Sequence, residues 1–183
     1  MSADDTKASW LLVMIYSQVT PDELPAVQQT LQRFRQAGRT TVVDTGLGWI
    51  MNRAQPDQIR ALWSHANIVT GTLDELSHWT AGDDPQSVAA EVLGHGPTQV
   101  VIKMGADGAA YQSDVDAFTH QRAVPIGQPN RSIGAGDAFV GAMVASLATG
   151  RPLSTAVKNA GRVAAQVVEA GRGVLAISSP SVE

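Results

Sequence analysis

The stretch Trp10-Leu11-Leu12-Val13-Met14-Ile15-Tyr16 is apolar on both of its alternating faces. A strand with one face in water would alternate with polar residues, so this run reads as a central strand of a sheet covered by helices on each side. Outward from it the period changes. Thr20-Pro21-Asp22-Glu23 supplies a cap, a proline at the first helical position and acids in the first turn, and Leu24, Val27, Leu31 and Phe34 keep one helical face until Gly38. Thr40 to Val43 is β-branched and apolar and ends at Asp44, after which Gly46 and Gly48 mark a loop at a strand's carboxyl end.

The unit then recurs. The pattern predicts a helix from about Pro56 to His65, a short strand from Asn67 to Thr70 and a helix opening at Leu73-Asp74-Glu75-Leu76. An amphipathic helix follows Asp84-Pro85 with Val88, Val92 and Leu93 inward, and a buried strand Gln99-Val100-Val101-Ile102-Lys103 runs into Met104-Gly105-Ala106-Asp107-Gly108. Ala109 to Val124 reads as a polar antiparallel stretch. Two Ala-rich helices, about Ala135 to Ala148 and Leu153 to Glu169, flank Gly150-Arg151-Pro152. Strand and helix alternation with buried strands predicts an α/β fold, a three-layer αβα sandwich on a mostly parallel, doubly wound sheet that gathers ligands at the carboxyl ends of its strands. A chain of 183 residues fits one domain, 1–183, with 1–8 as a flexible leader.

Hydrophobic residues make up 44% and charged residues 16%, which separates the chain from the core-poor signature of disorder. With 13 basic against 17 acidic side chains the net charge is -4, so no global basic field draws nucleic acid or an anionic membrane, and any phosphate ligand must be held locally. The absence of cysteine excludes disulfides, thiolate metal sites and cysteine nucleophiles. The apolar run at Trp10 is too short for a signal core followed by a span, which leads to the expectation of a soluble, cytoplasmic protein.

The strongest local signal is Arg131-Ser132-Ile133-Gly134-Ala135-Gly136-Asp137-Ala138-Phe139, which leads into a helix of small apolar residues. Its glycines allow a tight turn, and the first amides of the helix lack intrahelical acceptors, so the loop is shaped to receive an anion at the positive end of the helix dipole. Asp137 serves equally well there as a capping or first-turn acid.

Three further features stand in order with it: Ala66-Asn67-Ile68-Val69-Thr70 followed by Asp74-Glu75-Leu76, the strand and turn Val100 to Gly108, and Asn159-Ala160-Gly161. On these four features the chain from about Ser9 onward resembles the C-terminal part of the ribokinase-like, or PfkB, carbohydrate kinase family. The resemblance implies transfer of the γ-phosphoryl group of ATP to a sugar hydroxyl. Asp137 would be the base, and Gly134, Ala135 and Gly136 would shape the anion hole, in which the amides of Ala135, Gly136 and Asp137 stabilise the moving charge. Thr72, Lys103, Gly105, Asp107, Gly108 and Asn159 would border the nucleotide, and Glu75 would organise Mg²⁺ through water.

Departures from the family pattern accompany the resemblance. Family members carry an N-terminal portion with a sugar-binding carboxylate, a Gly-Gly motif and a β lid; this chain has no Gly-Gly dipeptide and begins at what would be the middle of that fold. Thr72 replaces the Asn of the Asn-x-x-Glu motif, and Arg131 stands where an acidic residue is tied to a monovalent-cation site, which implies no dependence on potassium. A sheet that starts there exposes a strand edge and an apolar flank, so a homo-oligomer or a partner chain is expected to cover it. Two functions fit: a sugar kinase, or a catalytically inactive ATP-binding or interaction protein without the acceptor half.

Other residues read as structural. His65, His78, His95 and His120 have no metal-ligand spacing, Trp49, Trp63 and Trp79 read as packing residues, and Asp83-Asp84 as a loop and cap. Asp44 ends a strand on the presumed active face, and Lys103 is either close to phosphates or merely solvated. No P-loop, Gly-x-Gly-x-x-Gly or Gly-x-Ser-x-Gly motif occurs.

Overall fold

The computed structural model describes residues 7–15, 19–46, 53–127 and 132–171. Residues 1–6 of the expected leader, Tyr16, Gly48, Trp49 and Arg131 lie outside the described residues. The strands are β1 (Trp10–Met14), β2 (Thr40–Asp44), β3 (Ile68–Thr72), β4 (Gln99–Lys103), β5 (Ala109–Ser113) and β6 (Thr119–Gln121). The helices are α1 (Leu24–Gln36), α2 (Pro56–Trp63), α3 (Leu73–Ser77), α4 (Pro85–Gly94), α5 (Ala135–Ala148) and α6 (Leu153–Ala170). The six strands form one sheet in the order β1-β2-β3-β4-β5-β6, flanked by helices, which is the expected α/β class.

Parallel pairing holds from β1 to β4. Trp10 faces Thr40 and Met14 faces Asp44; Asp44 faces Thr70; Thr72 faces Lys103. The short link Met104 to Gly108 cannot carry a parallel crossover, so β5 turns back against β4. Two expectations change here. The run at Trp10 is a strand, but it ends at Met14 and, among the described residues, pairs only with β2; every residue of it is half-buried rather than central. The stretch after Gly108 is polar and exposed only in part: Ala109, Ala110, Tyr111 and Ser113 of β5 are buried, whereas Thr119 and His120 of β6 are exposed.

The chain gathers into two compact units, Met1–Met104 with Ala110–Thr119, and Gly105–Ala109 with His120–Glu183. The core of the first unit is built from Val43, Val69, Val100 and Ile102 of the strands against Leu31, Ile59, Leu62, Trp63, Leu76, Val88 and Val92 of the helices, with Trp79 filling it. Trp63 and Trp79 are packing residues, as read from the sequence. Arg35 of α1 ties this unit together, donating from one guanidinium nitrogen to the carbonyls of Ser64 and Ala66 at 2.7 and 3.2 Å. The second unit is dominated by α5 packed along α6, with Phe139, Val140, Met143, Ala156, Val157, Ala160 and Val167 buried. No helix among the described residues is long and apolar enough to cross a membrane.

Asp84 is the cap of α4: its Oδ1 accepts from the amides of Gln86 at 2.9 Å and Ser87 at 3.2 Å. Hydrogen bonds from the Ser87 hydroxyl and amide, then Gln86, hold its carboxyl below the ordinary aspartate value. A depressed value in the folded state means stability that is present above the unfolded pKa and lost as the pH falls through the folded one. Asp84→Ala is therefore expected to lower the thermal midpoint at neutral pH, and by less at an acid pH below the depressed folded-state value of the carboxyl, whereas Asp84→Asn retains a capping oxygen and changes little. Melting curves at both pH values check this.

Candidate active site

Residues with chemistry collect at the carboxyl ends of β2, β3 and β4. Side chains alternate along a strand, so the register Asp44–Thr70 and Thr72–Lys103 puts Asp44, Thr70, Thr72 and Lys103 on the same face of the sheet. Lys103 Nζ donates to Asp44 Oδ1 at 2.8 Å, and the two side chains are 11% and 1% exposed. The bond spans the end of β3. Neither sequence position announces the other, and the solvated alternative for Lys103 is not what is found. A signal was nevertheless available: each residue terminates a strand in a fold that gathers function at that end.

The backbone beneath is tightly built. Trp63 Nε1 donates to Thr45 Oγ1 at 3.0 Å, and the Thr45 amide donates to the Thr70 carbonyl at 2.7 Å. A Cβ at Gly71 would stand 3.0 Å from Leu76 Cγ and 3.2 Å from the Thr45 carbonyl, so a larger residue would push β3 away from the loop after β2. Thr72 caps α3: its Oγ1 accepts from the Glu75 amide at 3.2 Å while Glu75 Oε2 accepts from the Thr72 amide at 2.6 Å. This reciprocal capping box accounts structurally for both residues. It also fixes a buried carboxylate, Glu75 at 7% exposure, beside the strand ends.

The donor chemistry here fits Mg²⁺. Asp44 and Glu75 offer hard carboxylate oxygens, and Mg²⁺ is usually held by one or two carboxylates together with water and phosphates rather than by a full protein cage. Among the described residues, no group of three His, Cys, Asp or Glu could hold a metal by itself. Glu75, with Asp44 on the neighbouring strand, would be the protein's contribution.

The second unit carries the Gly-Ala-Gly-Asp turn. Gly134 caps α5 in the left-handed region at φ 82°, a conformation that disfavours any side chain, and Asp137 lies exposed in the first turn. The Ala135 amide donates to the Ser132 carbonyl at 3.0 Å, so in this conformation it is committed to the turn. Gly105, Ala106 and Asp107 form an exposed 3₁₀ turn. Gly108 has φ 96°, and a Cβ there would run into the Gln121 carbonyl and the backbone of Arg122 and Ala123. Close packing alone therefore requires that glycine. His120 Nε2 meets the Asp107 carbonyl at 2.6 Å and pins the same turn. Asn159 of α6 donates to Ser146 Oγ of α5 at 3.5 Å, which spends its amide on helix packing.

The six-stranded mixed sheet flanked by helices is that of an α/β protein of the ribokinase-like class. Residues 5–178 match the pfkB family carbohydrate kinase model, and the chain belongs to that family. It is 33% identical over 107 residues to 5-dehydro-2-deoxygluconokinase of Bacillus subtilis, a match covering 56% of this chain and 32% of that protein. A PfkB protein from a Polaromonas species superimposes with a TM-score of 0.76 at 26% identity, over 92% of this chain and 58% of that one. Arabidopsis thaliana ribokinase, in a complex with ribose and ATP, superimposes at 0.77 and 20% identity, over 97% of this chain and 56% of that one. The chain thus spans about a third of the curated relative and little more than half of these solved structures.

Removing one partner of a buried ion pair leaves an uncompensated charge, whereas removing both does not. Lys103→Met is expected to lower unfolding free energy by about 3–5 kcal/mol, and Asp44→Asn combined with Lys103→Met to recover most of it. Urea unfolding of the single and double variants provides the measurement; additive losses would show that the two groups are not coupled.

Proposed function

We propose that this chain is the nucleotide-handling portion of an ATP-dependent phosphotransferase that moves the γ-phosphoryl group to a sugar hydroxyl. The observation that carries the reading is the head of α5, where a left-handed Gly134 turns the chain and Asp137 stands exposed in the first helical turn. Membership of the carbohydrate kinase family supports it, as does the complex of the Arabidopsis neighbour with ribose and ATP.

In this reading the Asp137 carboxylate accepts the proton of the attacking hydroxyl as that oxygen bonds to the γ-phosphorus and the bond to the β-phosphate oxygen breaks, releasing ADP. The helix-start amides after Gly134 face the phosphoryl oxygens and stabilise charge that develops between the two partial bonds. Lys103 supplies a positive charge to the polyphosphate, and the turn Gly105–Gly108 and the region of Asn159 border the nucleotide. Mg²⁺, when bound, would neutralise phosphate charge; Glu75 would hold it, with its orientation set by the Thr72 amide. A positioned base contributes roughly 10²- to 10⁴-fold to such a transfer. Calorimetry with Mg-ATP, followed by ADP release across a panel of sugars, tests the assignment. Sugar-dependent release that falls by about 10²- to 10⁴-fold in Asp137→Asn is expected. Binding with no sugar-dependent release, or an undiminished Asp137→Asn, would overturn it.

We further propose that the β1 edge is covered by a second copy of this chain. The strand is uncharged and proline-free, so it lacks the devices that keep an edge from pairing. Val13 of this strand, with Val19, Ala26 and Val27 and the polar Glu23 and Thr30, lines a mainly apolar groove of about 390 Å³. Five residues centred on Leu12 allow a two-fold antiparallel pairing with Leu12 opposite its counterpart, the self-complementary arrangement that a dimer requires. Sedimentation at micromolar concentration should show a dimer that Leu12→Lys converts to a monomer; a monomeric wild type counts against it.

A further inference from the structure

We propose that Lys103 is an internal countercation that holds down divalent-metal binding at Asp44, so that the metal enters together with the phosphates of the nucleotide instead of ahead of them. The inference rests on the reading of the strand ends as the phosphate site, but its physical basis is local. Asp44 is all but fully buried, and one of its oxygens is bonded at 2.8 Å to an ammonium that is itself largely covered. The face shared by Asp44, Thr70, Thr72 and Lys103 is rich in oxygen: the Asp44 carboxylate, the Glu75 carboxylate held over Thr72, and the Thr70 hydroxyl, which is fully buried and has no hydrogen-bond partner among the described residues. A buried carboxylate with a buried hydroxyl on the same face of the sheet offers the hard oxygens that attract a small divalent cation.

Lys103 changes that balance. With it the Asp44–Lys103 pair is neutral; without it Asp44 carries an uncompensated negative charge. A divalent ion approaching Asp44 meets the ammonium on the oxygen it would bind, and at these separations the repulsion is barely screened by salt. A nucleotide changes the outcome, because its phosphates give the ammonium another acceptor and bring ligands of their own for the metal. The lysine thus acts on the metal through Asp44 and is a specificity-determining residue rather than a ligand.

The test needs no nucleotide and no turnover. Free Mn²⁺ is counted by electron paramagnetic resonance against the metal-stripped full chain, comparing wild type, Lys103→Met, Lys103→Arg and the double variant Asp44→Asn with Lys103→Met. The expected result is Mn²⁺ affinity at least about tenfold higher in Lys103→Met than in wild type, unchanged in Lys103→Arg and lost again in the double variant. Equal or weaker binding by Lys103→Met, or a gain that survives in the double variant, overturns the inference. If Lys103→Met does not fold in metal-free buffer, millimolar Mn²⁺ should restore a cooperative melting transition to it and not to the double variant, and failure to do so overturns the inference equally. A sugar panel without ADP release would sink the phosphotransferase reading while leaving this result in place.

Discussion

Parallel strands cannot be left half in water, and their hydrogen-bond register fixes where each one ends. In this chain β2, β3 and β4 are paired so that Asp44 falls opposite Thr70 and Thr72 opposite Lys103. Once that register is set, an aspartate and a lysine from strands that do not touch are delivered above the one between them. Their bond closes the carboxyl end of the sheet. The close approach at Gly71 and the Trp63–Thr45 bond keep the loop after β2 near enough for the bond to form. The core that buries both faces of the strands is thus also what concentrates charge at one end of them.

The regular elements were legible because they rest on local rules. Proline and an acidic first turn mark the start of α2, the acidic residues read as the first turn of α1 form a 3₁₀ turn Pro21–Glu23 leading into it, Asp84 caps α4, and the extents of α5 and α6 follow from their small and apolar residues between Gly134, Gly150 and Gly171. What was not legible depends on partners distant in sequence. An uninterrupted apolar run such as Trp10 to Met14 shows that a strand is hydrophobic on both faces but not whether anything pairs on both sides, and among the described residues β1 lies at the edge. The Asp44–Lys103 bond joins residues 59 positions apart, and only the topology brings them together. At Gly108 the left-handed backbone and the contact with residues 121–123 demand glycine by themselves, a reason that only the folded chain supplies. The hydrogen bond of Asn159 to Ser146 likewise depends on how α6 packs along α5.

The same four-residue pattern occurs twice in this chain, and the two copies separate local structure from chemistry. Thr20 and Glu23 form a capping box ahead of α1, with Glu23 Oε2 accepting from the Thr20 amide at 2.8 Å. Thr72 and Glu75 form another at α3. In the first, hydrogen bonds from the Thr20 amide and then its hydroxyl hold an exposed carboxyl below the ordinary glutamate value, and water supplies whatever else it needs. In the second the carboxylate is buried, and the threonine that orients it is in register with the lysine paired to Asp44. Helix capping explains both glutamates equally well, so the motif by itself assigns neither to catalysis. What differs is the surroundings: Glu75 is buried beside the end of β3, whereas a surface carboxylate such as Glu23 is screened by water and salt within a few ångströms. Replacement of the family's asparagine by Thr72 therefore leaves the orientation of Glu75 intact, because a hydroxyl and a backbone amide suffice to cap the helix. What the substitution removes is an amide side chain reaching outward, and the cationic and oxygen-donating groups at the strand ends then fall to Lys103, Asp44 and Thr70.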